Sequence, residues 1–100
     1  MNKEKSSKQW INRDTDSLFQ VVLELKNLTE ARKFFRDLLT EKELLEFAQR
    51  WKVAKMLFAG KAYVDIERKT GMSSTTIARI HHWLKSGMGG YKLMIKKVKI

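Results

Sequence analysis

Residues 62–86 read AYVDIERKTGMSSTTIARIHHWLKS, and the fold turns on how this stretch divides around Gly71. On its left, Tyr63, Ile66 and Thr70 fall on one side of a two-turn helix over 62–70. Gly71 takes the left-handed backbone of a tight turn at little cost, and Met72 follows as the turn residue facing inward. On its right, Ile77, Ile80 and Leu84 recur at i, i+3 and i+7 as the inward stripe of a helix that begins near Ser73 or Ser74 and ends near Ser86. Two helices joined by a glycine turn make a helix-turn-helix.

The run Ser73-Ser74-Thr75-Thr76 at the second helix start needs a reason, because hydroxyl residues are middling helix formers. A recognition helix enters the DNA major groove with its N-terminus leading. Small hydroxyl side chains there cap the helix, bind phosphate oxygens and touch base edges. The outward stripe is Thr75, Ala78, Arg79 and His82. Ala78 permits close approach, and Arg79 supplies a charged donor. The candidate DNA surface is therefore Ser73, Ser74, Thr75, Thr76, Ala78, Arg79 and His82. Lys61, Arg68 and Lys69 join it as phosphate contacts, with Lys85 and the last lysines behind them. The competing reading is an αα-hairpin with a Ser/Thr-rich cap and no ligand. Glu67 counts against the DNA reading, since small residues are usual where two such helices pack closely.

Charge is distributed in the same sense. The net charge is +10, yet residues 1–13 carry +3, 14–49 carry −3, 50–85 carry +6 and 86–100 carry +4 without one acid. A basic half containing the hydroxyl run suggests a polyanion partner on one face. One hundred residues suggest one domain. No apolar run is long enough to span a membrane, and the polar start is not a signal peptide. Cysteine is absent, which excludes disulfides and cysteine-held metals and fits a cytoplasmic protein.

Upstream, helices are expected from Asp16 or Ser17 to about Lys26, and from Thr29 to near Leu39. Thr40 with Glu43 reads as a capping box for a long helix that Gly60 stops. Its apolar side is read as Leu44, Leu45, Ala48, Trp51, Leu57 and Phe58. No segment reads as a strand, so the chain is all-α. The expected division is a flexible polar segment over 1–15, a helical DNA-binding and dimerisation domain over 16–86, and a basic tail over 87–100 whose conformation the pattern leaves open.

Residues 38–84 resemble the Trp repressor superfamily. The resemblance is carried by Leu38-Leu39-Thr40, Arg50, Gly60 and Thr76-Ile77-Ala78-Arg79, and "GMGGYK" looks like the Trp-repressor-like branch of Gram-positive bacteria. It implies a DNA-binding repressor that is an intertwined homodimer on a palindromic operator, with recognition helices ~34 Å apart. Residues 18–39 agree, because their apolar positions cover more than one helix face and a chain this small has little core to bury them in. The resemblance also places a small-molecule effector between Arg50 and Arg79, with another small anion, pairing with carboxylates or direct phosphate contact as the alternatives for these two arginines. Ile80 and Trp83 stand where the family's ligand, tryptophan, needs room, so tryptophan is not the expected corepressor and no other cofactor is implied.

Other residues read plainly. His81 and His82 point ~100° apart and do not chelate one metal. His81 is read as a surface residue, Trp51 and Trp83 as core or interface anchors, and Trp10 as exposed. Glu41, Glu43 and Glu46 suit the positive end of a helix. With no nucleophile motif or phosphate loop, an enzyme is not expected. The alternative to a DNA-binding regulator is a protein-interaction module with an incidental basic face.

Overall fold

The computed structural model describes residues 9–98 and contains six helices among them. They are α1 (Arg13–Val22), α2 (Leu28–Leu38), α3 (Glu41–Phe58), α4 (Tyr63–Thr70), α5 (Ser74–Ser86) and α6 (Gly90–Val98). The chain divides at residue 40 into two compact units, with α1 and α2 in the first and α3 to α6 in the second.

In the first unit, asparagine side chains start both helices. Asn12 Oδ1 accepts from the Thr15 backbone N–H at 2.9 Å, and Thr15 Oγ1 accepts from the Asn12 N–H at 3.0 Å. This reciprocal cap starts α1 three residues before the expected Asp16 and places the boundary after residue 15 inside a helix. Asn27 Oδ1 caps α2 through Glu30 N–H at 2.9 Å, ahead of the expected Thr29. Between the helices, Glu24 N–H donates to Val21 O and Leu25 N–H to Val22 O. These i to i−3 bonds tighten the last turn and end α1 at Val22, short of the expected Lys26. Neither helix buries a residue, and Phe19, Val21, Leu23, Leu28 and Leu38 are all exposed.

The second unit holds the core. Val53, Ala54 and Leu57 come from α3, Ile66 from α4, Ile77, Ile80 and Leu84 from α5, and Ile95 from α6. The apolar side read on α3 is buried only in part, through Leu57 and the half-buried Trp51. The buried stripe is Val53, Ala54 and Leu57, whereas Leu45 and Phe58 are exposed. A helix buries the face its neighbours cover, which is not always the face with the largest side chains. A Schellman pair ends α3, with Gly60 N–H donating to Leu57 O and Lys61 N–H to Met56 O, and Gly60 at φ 83°. The segment after residue 87 forms α6, which packs on α3 and α5 and buries Ile95. It is part of the core, so the expected tail boundary falls within the second unit.

Gly71 sits at φ 75° and caps α4 through its N–H to Glu67 O at 2.8 Å. A Cβ there would meet nothing within 4 Å. Gly71→Ala therefore acts through backbone strain alone. It is expected to cost about 1–2 kcal/mol in urea denaturation without change in the slope of the transition. A neutral substitution would show that the turn relaxes.

Candidate nucleic-acid interface

The turn between α4 and α5 is built from Thr70. Its Oγ1 donates to Ile66 O at 2.7 Å and accepts from Met72 N–H at 3.1 Å. Gln49 Nε2 of α3 donates to Thr70 O at 3.2 Å, which ties the turn to the long helix. Beyond it, Ser73 is the N-cap of α5. Its Oγ accepts from Thr76 N–H at 3.3 Å and donates to Thr76 Oγ1 at 3.1 Å. Two of the four hydroxyls are therefore occupied in the cap, and Thr76 is half-buried. Ser74 and Thr75 are exposed, and their hydroxyls make no hydrogen bond among the described residues.

With ~100° per residue, the buried stripe of Ile77, Ile80 and Leu84 puts Thr75 and His82 almost diametrically opposite, with Ala78 and Arg79 on either side. All four are exposed. The first turn of α5 contains no acid, so its positive dipole end is not neutralised by a side chain of its own. Lys61 and Lys69 are also exposed. Arg68 is exposed too but faces Asp65 at 3.3 Å across one turn of α4. A surface pair of this kind holds the guanidinium only weakly.

Arg50 and Arg79 differ in their surroundings. Arg50 lies over the Phe47 ring at 5.5 Å and lines two adjoining grooves of about 650 Å³ each. One runs towards Gln49, Met72 and Thr76, and the other towards Trp51, Trp83, Tyr91 and Met94. Arg79 lines neither. Ile80 is a core residue, and Trp83 is 42% exposed on the wall of the second groove, while Trp51 packs half-buried against the core.

The reading of His81 as a surface residue is corrected. It is half-buried, and its Nδ1 lies 2.7 Å from Tyr63 Oη, across from α4. No local pattern signals this pair, because its partners stand 18 residues apart. The Gln49 link to Thr70 escapes a sequence reading for the same reason.

These elements define an all-helical protein whose second unit presents a helix-turn-helix. The match to the Trp repressor protein family covers residues 13–99. The chain belongs to that family, and its fold is that of a helix-turn-helix DNA-binding regulator. It is 41% identical over 87 residues to the uncharacterised protein YerC of Bacillus subtilis (strain 168), covering 87% of this chain and 84% of YerC. Among solved structures, it is similar to a TrpR-like protein from Eubacterium eligens ATCC 27750. The TM-score is 0.89 at 39% identity, over 93% of this chain and 96% of that one. A Trp repressor candidate from Staphylococcus aureus superposes with a TM-score of 0.87 at 34% identity, over 93% of both chains. No helix among the described residues is long and apolar enough to cross a membrane.

Proposed function

We propose that this chain is a sequence-specific repressor that binds a palindromic DNA operator as a homodimer. The observation that carries the reading is the outward stripe of α5, where Thr75, Ala78, Arg79 and His82 stand opposite the buried isoleucines. Ser74 and Thr75 offer free hydroxyls to phosphates and base edges, Arg79 reads a base, and Lys61 and Lys69 hold the backbone. Ser73 and Thr76 act through the cap, which sets where α5 begins. The homodimer is supported by α1 and α2, which bury nothing of their own, and by Leu45 and Phe58 left exposed on α3. A small-molecule effector at Arg50 belongs to this reading. Ile80, already in the core, argues against tryptophan in the place the family gives it.

Titration of labelled duplexes at several salt concentrations tests the proposal. Each neutralised phosphate contributes ~0.9 to the log–log slope. Lys69→Ala is expected to weaken all duplexes alike and to make that slope shallower by about 0.9 for each phosphate it no longer neutralises. A flat salt response in the unaltered protein would sink the reading. The exposed apolar residues of α1 and α2 also suit a module that binds a different protein. Light scattering separates the two readings. A stable homodimer favours the repressor, and a monomer that assembles only with another protein favours the module.

A further inference from the structure

We propose that Tyr63 is a positioning residue for DNA reading, whose hydrogen bond to His81 sets the roll of α5 on α4 and thereby which base edges the outward stripe meets. This rests on the DNA-binding reading and adds two residues outside the surface assigned there.

Tyr63 opens α4, and His81 lies in the second half of α5. Their Oη and Nδ1 atoms are 2.7 Å apart, and their rings meet edge-on with centroids at 5.7 Å and planes at 69°. The hairpin of the two helices is closed at one end by the Gly71 turn. The Tyr63–His81 pair closes the other end, where the lever arm about that turn is longest. Between the ends, α4 and α5 bury Ile66, Ile77 and Ile80. Apolar packing sets how close two helices lie, but it has little directional preference about the helix axis. A hydrogen bond tolerates only a few tenths of an ångström and prefers a near-linear donor. It therefore adds a directional restraint to the packing of the isoleucines.

The consequence at the DNA surface is large in proportion. Side chains of α5 stand ~5–6 Å from the helix axis, so a roll of about 20° moves their tips by roughly 2 Å. That exceeds the tolerance of any base-edge hydrogen bond. His81 is next to His82 and one turn from Ala78, both on the outward face, so the clamp acts beside the atoms it positions. Phosphate contacts through long lysines, such as Lys61 and Lys69, adapt to the same roll.

The test uses the full chain and a duplex selected by the unaltered protein from a random pool, beside a scrambled duplex of equal length. Tyr63→Phe keeps the ring and removes only the hydroxyl. The ratio of affinities for the selected and scrambled duplexes is expected to fall about fivefold, as losing one neutral hydrogen bond implies. Affinity for the scrambled duplex should stay within about twofold, and the melting temperature should fall by roughly 4–8 °C, as one such bond implies. His81→Phe should behave alike, and the double variant should be no worse than either single one, since both remove one bond. An unchanged ratio, an equal loss on both duplexes, or additive losses in the double variant would each overturn the proposal while leaving the DNA reading standing. An unaltered protein with no sequence preference would overturn both.

Discussion

Arg79→Ala protein is expected to lose about 1–3 kcal/mol per half-site for its preferred duplex, or about 2–6 kcal/mol for two half-sites. Arg79 is exposed on α5 beside Ala78 and one turn after Thr75. A guanidinium there presents two parallel donors, which match the O6 and N7 acceptors of guanine. In the proposed docking, Ala78 would place only a methyl between the helix and the groove, which would let the fork reach a base edge. Affinity for scrambled duplexes should fall far less, because a single lost charge weakens only the general attraction to phosphate. Arg79→Lys should retain that attraction and lose the fork, so it should bind scrambled duplexes normally and still discriminate poorly. Equilibrium titrations over duplexes changed at one base pair at a time read both effects. If Arg79→Ala weakens every duplex equally, Arg79 is a phosphate contact and some other side chain reads the base.

Ile77→Ala should have the largest effect on stability. Ile77 is 0% exposed and shares the core with Val53 of α3 and Ile66 of α4. Removing its outer carbons loses their transfer free energy and leaves a void that the neighbours fill only in part. The expected cost is about 2–5 kcal/mol, against a total of about 5–15 kcal/mol for a typical domain. In a domain of this size, each kcal/mol lowers the melting temperature by about 4–8 °C. Thermal unfolding followed by circular dichroism should therefore shift down by about 8 °C or more. Ile77→Val, which removes one carbon, should cost about 1 kcal/mol. A shift of only a few degrees for Ile77→Ala would mean that α5 is held by something other than its isoleucine stripe.

The helix-turn-helix is legible in the sequence because its signals are local. Gly71, the Ile77, Ile80 and Leu84 spacing, and the Ser73 cap all act within a few residues of one another. Gly60 is readable for the same reason. The differences have two kinds of cause. Asn12 caps α1 with threonine, not glutamate or glutamine, as the reciprocal partner and stands in a polar stretch with no apolar period, so the pattern points to a later helix start. The buried side of α3 is only partly readable: Leu57 belongs to the apolar side read in the sequence, but Leu45 and Phe58 are bulkier than Ala54, and size is no guide to which face a neighbour covers.

The site divides in the same way. The outward identity of Thr75, Ala78, Arg79 and His82 follows from helical period once the inward stripe is recognised. The separate roles of the four hydroxyls do not, because which of them turns back into the cap depends on how α5 leaves the turn.

From the chain alone came the helical class, the break at Gly71 and the face of α5 turned to solvent, since each rests on bonds or spacings spanning one or two helical turns. Tertiary packing decided that α6 is a core helix, that Arg50 lines two grooves whose walls do not include Arg79, and that His81 meets Tyr63. Those facts join residues far apart along the backbone, and only the mutual burial of several helices selects which distant side chains meet.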